Sequence, residues 1–286
     1  MKNIRVAVDV GGTFTDVVIM DETTGAIRIE KTSSTPDDPM AAILNGIEQG
    51  GIDLSKVSMF SHGTTVATNA LIQRNLPRTA MICTEGFRDV VEIRRANKED
   101  LWDTYKDVAK PYVARRDRLV VRECVDANGA VLEALDEVEA LRVANVLKKR
   151  EVASVAICFM NSYTNGANEE RMREIMQSVM PDIPISISSQ VLPEIFEHER
   201  FSTTMANAAV SPVVVDYVER LEGKLADGGY ERDLLLLHTG GGGNLSRGLE
   251  VARQGSKQEE EAKGEARLRQ CQMRRRRDHS GNTRFM

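Results

Sequence analysis

The chain has 286 residues and a mass of 31.7 kDa, with 41% hydrophobic and 28% charged residues, a mean hydropathy of −0.32 and a formal charge of −5. This balance excludes collagenous and membrane-embedded chains and disfavours wholesale disorder, and the length leaves room for about two average domains. The charge is uneven: residues 255–286 hold nine Lys and Arg against five Asp and Glu, while the rest holds 29 against 38.

No apolar run approaches the ~18 to 20 residues needed to span a bilayer, and the N-terminus passes straight into an alternating strand pattern without a signal-peptide core. The expected address is cytoplasmic, with no membrane partner. Cys83, Cys124, Cys158 and Cys271 are widely spaced and form no CxxC pair, which argues against a zinc ribbon, a thioredoxin-type motif or a disulfide scaffold.

In chain order, Ile4 to Val10 alternates and is rich in β-branched residues, Gly11-Gly12 makes a turn, and Thr15 to Met20 reads as a second strand. Thr23-Thr24-Gly25 is another turn signal, and Ile27 to Lys31 alternates again, so the first 35 residues predict an antiparallel meander. A helix is predicted over Met40 to Gln49, stopped by Gly50-Gly51. A strand around Val57 to Phe60, a helix over Val66 to Arg74, a strand over Thr79 to Cys83 and a helix or turn around Phe87 to Arg95 follow.

Ala96 to Ala130 has weaker periodicity and reads as an insertion or connection. The helix starting at Leu135-Asp136-Glu137 has acids in its first turn and Lys148-Lys149-Arg150 at its end, matching the dipole at both ends. Val152 to Phe159 reads as a strand, Asn168 to Met180 as a helix and Ile183 to Ile187 as a strand. A long helical region from Glu194 to Ala226 is expected to kink or break at Pro212, and Leu234 to Leu237 is a buried-type strand running into Gly240 to Gly243. The expectation is an α/β chain with a mixed sheet.

The segment most suited to chemistry is Asp9-Val10-Gly11-Gly12-Thr13-Phe14-Thr15-Asp16. The two glycines let backbone N–H groups approach phosphate oxygens, Thr13 and Thr15 can donate to them, and Asp9 and Asp16 can hold a hydrated Mg2+ or orient a nucleophile. The segment is neither a Walker A loop nor a Rossmann fingerprint. The alternative is an ordinary hairpin with surface threonines.

This octet resembles the first phosphate motif of the acetate kinase, sugar kinase, Hsp70 and actin superfamily. Together with Ser61 to Ala70 (SHGTTVATNA), Gly86-Phe87-Arg88-Asp89, Glu194 to Asn207 and His238-Thr239-Gly240-Gly241, the chain resembles the hydantoinase A and 5-oxoprolinase family, which includes acetone and acetophenone carboxylase subunits. The resemblance implies an actin-like, ribonuclease H-like ATPase lobe cut short before its second lobe. Its implied organisation is an N-terminal domain over 1–190, a helical segment and start of a second lobe over 191–244, and a charged, disordered tail over 245–286.

It also implies ATP and Mg2+ as cofactors, no biotin, a small-molecule substrate, and partnership with a hydantoinase B-like and other carboxylase or hydantoinase subunits. The implied function is phosphoryl activation of a carbonyl oxygen for carboxylation of a ketone, or alternatively for hydrolysis of a cyclic amide. A non-catalytic accessory subunit is the remaining alternative.

On this resemblance Asp9, Asp16 and His62 are the candidate catalytic residues, with Asp9 and Asp16 on Mg2+. Gly11, Gly12, Thr13, Thr15, Thr64, Thr65, Asn69, Gly240 and Gly241 are the candidate cofactor-binding residues. His62 reads either as an acid, base or metal ligand or as a structural histidine, and Arg200, Thr203, Thr204 and Asn207 as a cleft wall or a solvated face. Arg94-Arg95 and Arg115-Arg116 lack aromatic interleaving in an acidic body, so no nucleic-acid partner is expected. No second Asp-Gly-Gly-Thr loop follows Gly243, so the chain is expected to be inactive alone, as a short subunit or a truncated frame.

Overall fold

In the computed structural model, the described residues are 3–34, 39–96, 102–105, 109–237 and 243–245. They form two main sheets. The first is built from β1 (Ile4–Val10), β2 (Phe14–Asp21), β3 (Ile27–Ser33) and β4 (Val57–Thr64), with α1 (Pro39–Gln49) between β3 and β4. After β4 come α2 (Val66–Gln73), β5 (Thr79–Thr84), α3 (Val90–Ile93), β6 (Arg118–Val121), a small hairpin of β7 (Cys124–Val125) and β8 (Val131–Glu133), and α4 (Glu137–Lys149). Then follow β9 (Ser154–Cys158), α5 (Ala167–Val179), β10 (Ile185–Ile187), α6 (Ser188–Val191), α7 (Glu197–Asp227), β11 (Leu234–Leu237) and β12 (Gly243–Leu245).

The first sheet has the order β12-β11-β4-β1-β2-β3. The meander β1-β2-β3 is antiparallel, while β4 lies parallel to β1 and β11 parallel to β4. This is the strand order expected of a ribonuclease H-like lobe. Alternation decides its faces: Val6, Val8 and Val10 of β1 and Val17 and Ile19 of β2 are buried, and they pack with Met40, Ile43 and Ile47 of α1 and Tyr217, Val218, Leu221 and Leu225 of α7. The other face is more open, with Met20, Ile27 and Ile29 exposed.

The second sheet, β10-β9-β5-β6, is wholly parallel. Every residue of β5 and β9 is buried, as a parallel sheet covered on both faces requires. Leu147 of α4 and Met172 and Met176 of α5 pack against Ile82 and Ile157 on one face, while Phe201, Met205 and Ala208 of α7 pack against Met81, Cys83 and Cys158 on the other.

Helix α7 therefore joins the two cores, its first half under the second sheet and its second half under the first. It runs unbroken for 31 residues with Pro212 inside it. Of the expected kink or break, the break does not occur: Pro212 falls between the two buried stretches whose packing holds the helix at both ends. The weakly periodic 96–130 stretch contains β6, which pairs parallel with β5. Residues 191–244 include α7, β11 and β12, and β11 and β12 lie in the first sheet. The charged tail lies outside the described residues. Among the described residues no helix is long and apolar enough to cross a membrane.

Candidate functional site

The carboxyl ends of the parallel strands β1, β4 and β11 lie at one edge of the first sheet, where ligands of open α/β sheets bind. Three segments from the sequence analysis leave from this edge: the Gly11 to Thr13 tip, the Thr64-Thr65 junction into α2, and the chain after Leu237.

Strand register aligns one row across the sheet: Lys31 opposite Asp16, Asp16 opposite Asp9, Asp9 opposite Gly63, and Gly63 opposite Leu237. Asp9 and Asp16 therefore face each other on the more open side of the sheet. Like charges opposite each other destabilise a ladder by a few tenths of a kcal/mol or more. Lys31 Nζ offsets one of them, 3.0 Å from Asp16 Oδ1. The Asp9 carboxylate is exposed and has no hydrogen bond or ion pair among the described residues. It stands over Gly63, where a Cβ would come within 3.2 Å of Asp9 Oδ1.

At the tip, Gly11 N–H donates to Phe14 O at 3.0 Å. Gly12 and Thr13 are exposed, and a Cβ on Gly12 would meet nothing within 4 Å. Neither the Gly12 nor the Thr13 amide has a partner among the described residues. The tip thus offers open backbone donors beside an exposed carboxylate.

Thr15 sits differently from the expectation of a phosphate donor. Its side chain is fully buried, with Oγ1 3.0 Å from Ser34 Oγ. Ser34 in turn donates through Oγ to Gly11 O at 2.8 Å and through its N–H to Thr13 O at 2.9 Å. Sequence reasoning missed Ser34, whose only signal is its position just after a strand predicted to pair with the hairpin.

His62 also lies beneath the surface. The same row logic that puts Gly63 on the open face puts His62 opposite Val8 on the packed face. The ring is fully buried and Nε2 lies 2.8 Å from Tyr217 Oη. Burial pushes its pKa down to about 4, opposed by the Val8 carbonyl, and among the described residues Nδ1 has no partner of good geometry. The ring is neutral at pH 7 and out of contact with solvent, so it occupies the place of a structural histidine.

At the junction, Thr65 caps α2 without a side-chain bond to the helix backbone. Its Oγ1 accepts from Asn69 Nδ2 at 3.3 Å, and both residues are exposed; Thr64 Oγ1 accepts from Val66 N–H at 3.3 Å. Gly240 and Gly241 lie outside the described residues. Among the described residues no group of three or more His, Cys, Asp or Glu is placed to hold a metal ion.

Of the four α7 residues read as a cleft wall or a solvated face, Arg200 and Thr204 are buried while Thr203 and Asn207 are exposed. Arg200 is fully buried and donates to the carbonyls of Glu194 at 2.5 Å, Ile195 at 3.3 Å and Phe159 at 3.1 Å. Thr204 is buried with its hydroxyl on Arg200 O, and Asn207 donates to Ser186. The basic pairs are partly spent as well: Arg115 grips Asp89 with two bonds of 3.0 and 2.9 Å and holds its carboxyl below the usual range, and Arg95 pairs with Glu199 at 2.7 Å. A separate cavity of about 290 Å³ lies between α3 and the start of α7, lined by Phe87, Ile93, Arg94, Phe196 and His198 among others; no residue of the hairpin reaches it.

The family model for the hydantoinase/oxoprolinase N-terminal region matches residues 5–180. The chain is 32% identical over 251 residues to the caprolactamase subunit alpha of Pseudomonas jessenii, covering 84% of this chain and 36% of that one. It superposes on the crystal structure of the ATP-dependent caprolactamase from the same organism with a TM-score of 0.75, covering 81% of this chain and 35% of that one. The acetophenone carboxylase gamma subunit of Aromatoleum aromaticum is 31% identical over 259 residues, 82% of this chain and 35% of that one. The nucleotide-free structure of an acetone carboxylase, 23% identical, shares the fold with a TM-score of 0.73 over 89% of this chain and 39% of that one. The chain thus spans about a third of the length of these curated relatives. It is homologous to subunits of ATP-dependent carboxylases and cyclic amide hydrolases, and it belongs to the hydantoinase/oxoprolinase family.

Proposed function

We propose that this chain is the phosphate-binding lobe of an ATP-dependent enzyme that activates a carbonyl oxygen by phosphoryl transfer, working with further subunits such as a hydantoinase B-like partner. The observation that carries the reading is the hairpin tip: an open Gly12, Gly12 and Thr13 amides without partners among the described residues, and the facing carboxylates Asp9 and Asp16, of which only Asp16 is paired with a cation. The donor set suits Mg2+, a small hard ion that takes one or two carboxylates and fills its remaining positions with water and phosphate oxygens.

In this reading Asp9 and Asp16 hold Mg2+, and the bound ion offsets their mutual repulsion. Gly11, Gly12 and Thr13 present backbone donors to the phosphates. Thr64, Thr65 and Asn69, leaving the same sheet edge at the start of α2, face the reacting group and orient it. Gly240 and Gly241, outside the described residues, are proposed as further phosphate-binding residues. ATP, when bound, supplies the phosphoryl group that turns a carbonyl oxygen into a leaving group. Thr15 and His62 act from below, as a brace and a core group, and neither touches the substrate.

Carboxylation of a ketone is the first reading of the substrate class. Hydrolysis of a cyclic amide is the second, and the similarity to caprolactamase supports it at equal strength. The test is ATP turnover by the chain mixed with a hydantoinase B-like subunit, with ketone and bicarbonate in one series and a lactam in the other. The reading expects substrate-dependent phosphate release in one series and its loss in Asp9→Ala. No release in either series, or release untouched by Asp9→Ala, would remove the enzymatic role.

A further inference from the structure

Three groups of the hairpin that are not ligand donors converge on one residue, two on its hydroxyl and one on its backbone N–H. Ser34 Oγ donates to Gly11 O at 2.8 Å and sits 3.0 Å from the buried Thr15 Oγ1, while Ser34 N–H donates to Thr13 O at 2.9 Å. Thr15 is fully buried and Ser34 half-buried, so these bonds are shielded from competing water.

Peptide geometry turns this convergence into a statement about the open tip. No peptide bond among the described residues is cis, so the N–H of each peptide points opposite to its C=O. The Gly11 carbonyl is drawn toward Ser34, and the Gly12 N–H in the same peptide plane is therefore aimed away from Ser34. That amide has no protein partner among the described residues and lies where even a Cβ on Gly12 would meet nothing. The Thr13 carbonyl is likewise turned inward by the Ser34 N–H. Two of the tip carbonyls, Gly11 and Thr13, are thus tied down on the β3 side, and the Gly12 N–H faces outward.

We propose that Ser34 is a positioning residue for the hairpin, orienting the Gly12 amide outward and keeping the Gly11 and Thr13 carbonyls away from a bound phosphate. The proposal rests on the phosphate-binding reading of the hairpin, and it adds a residue outside the octet that sets the geometry of the octet. A glycine-rich tip with no side chain to pack has high conformational entropy. A hydroxyl that bridges β1, β2 and the end of β3 removes that freedom before a ligand arrives, which lowers the ordering cost of binding.

The test uses the full chain and two variants, Ser34→Ala and Ser34→Thr, with amide hydrogen exchange and ATP titration as separate readouts. Ser34→Ala is expected to speed exchange of the Gly11 amide about fivefold, the loss of one modest hydrogen bond. Exchange at Val8, Val17 and Ala80 stays unchanged, which shows that the fold is intact. Ser34→Thr, which keeps the hydroxyl, restores the wild-type rate at Gly11. In the titration, Ser34→Ala weakens Mg·ATP binding at least fivefold and Ser34→Thr restores it. Unchanged exchange at Gly11 in Ser34→Ala overturns the proposal, as does equal ATP affinity in wild type and Ser34→Ala. A wild-type chain that shows no hairpin response to Mg·ATP overturns the phosphate reading instead, while the exchange readout still decides whether Ser34 holds the tip.

Discussion

Lowering the pH removes stability from the first core through His62, and the size of the loss follows from where the ring sits. It is fully buried, paired with Tyr217, and its pKa is pushed from 6.5 down to about 4. Between those values the unfolded chain holds a proton that the folded chain does not. Stability therefore falls as pH falls from about 6.5 to about 4, and the loss levels off below that. At 1.36 kcal/mol per pH unit the full effect is about 3 kcal/mol, of which about 2 kcal/mol is gone by pH 5. The ion-paired or hydrogen-bonded carboxyls of Asp53, Asp89, Asp117 and Asp136 are held low and lose their contribution at more acidic pH. Comparison with a variant isolates the histidine. Urea unfolding of wild type and His62→Gln at pH 7 and pH 5 should show wild type losing about 2 kcal/mol more than the variant, because glutamine can still bond Tyr217 but does not titrate. Equal losses in the two proteins would refute the assignment of His62 as a neutral core group.

Other consequences follow from packing and charge. Arg200→Met leaves the carbonyls of Glu194, Ile195 and Phe159 without their donor, and chemical denaturation should register a loss of about 3 kcal/mol; a loss under about 1 kcal/mol would contradict the role given to that guanidinium. Gly46→Ala drives a Cβ to 2.6 Å from Cγ2 of the buried Val17 and should cost about 1–3 kcal/mol by urea unfolding, whereas Gly12→Ala meets nothing and should stay within about 0.5 kcal/mol of wild type. Asp9→Asn relieves the repulsion with Asp16 and should raise ligand-free stability by about 0.5 kcal/mol in a thermal melt; a drop would show that the Asp9 charge is compensated in the free protein.

Much of the fold is legible in the sequence where local signals act alone. Ile4 to Val10 alternates because one face packs on α1 and α7, and its strand bounds are those read from the residues. Asp136 announces the start of α4 because its side chain accepts the Glu139 N–H at 3.0 Å. What stays hidden depends on partners far along the chain. β6 has four residues and no alternation of its own, and it exists because β5 offers it a parallel edge. The division into two sheets is invisible locally because one helix serves both.

The candidate site divides along the same line. The octet and its hairpin are visible as a pattern, but which hydroxyl faces outward is a matter of register. Thr13 is in the turn before β2 and is exposed, while Thr15, inside β2 and opposite Val10, is on the buried face. Strand parity likewise buries His62 and leaves its neighbour Gly63 beneath Asp9. A one-residue difference along a strand reverses the face a side chain occupies. The Arg200 face of α7 reads as a polar cleft wall because the carbonyls it satisfies lie in loops that only the tertiary structure brings together.

Reception of the ATP phosphates by the Gly11 to Thr13 tip is read out most directly by titrating Mg·ATP into the isotopically labelled chain and following backbone amide resonances, with Gly12→Val as the comparison. Saturable shifts are expected, centred on Gly11, Gly12 and Thr13 and extending to Gly63, Thr64 and Thr65. They should be lost in Gly12→Val, whose added side chain occupies the open space at the tip. Absence of those shifts in wild type, shifts centred elsewhere, or an unchanged response in Gly12→Val would contradict phosphate binding at the tip.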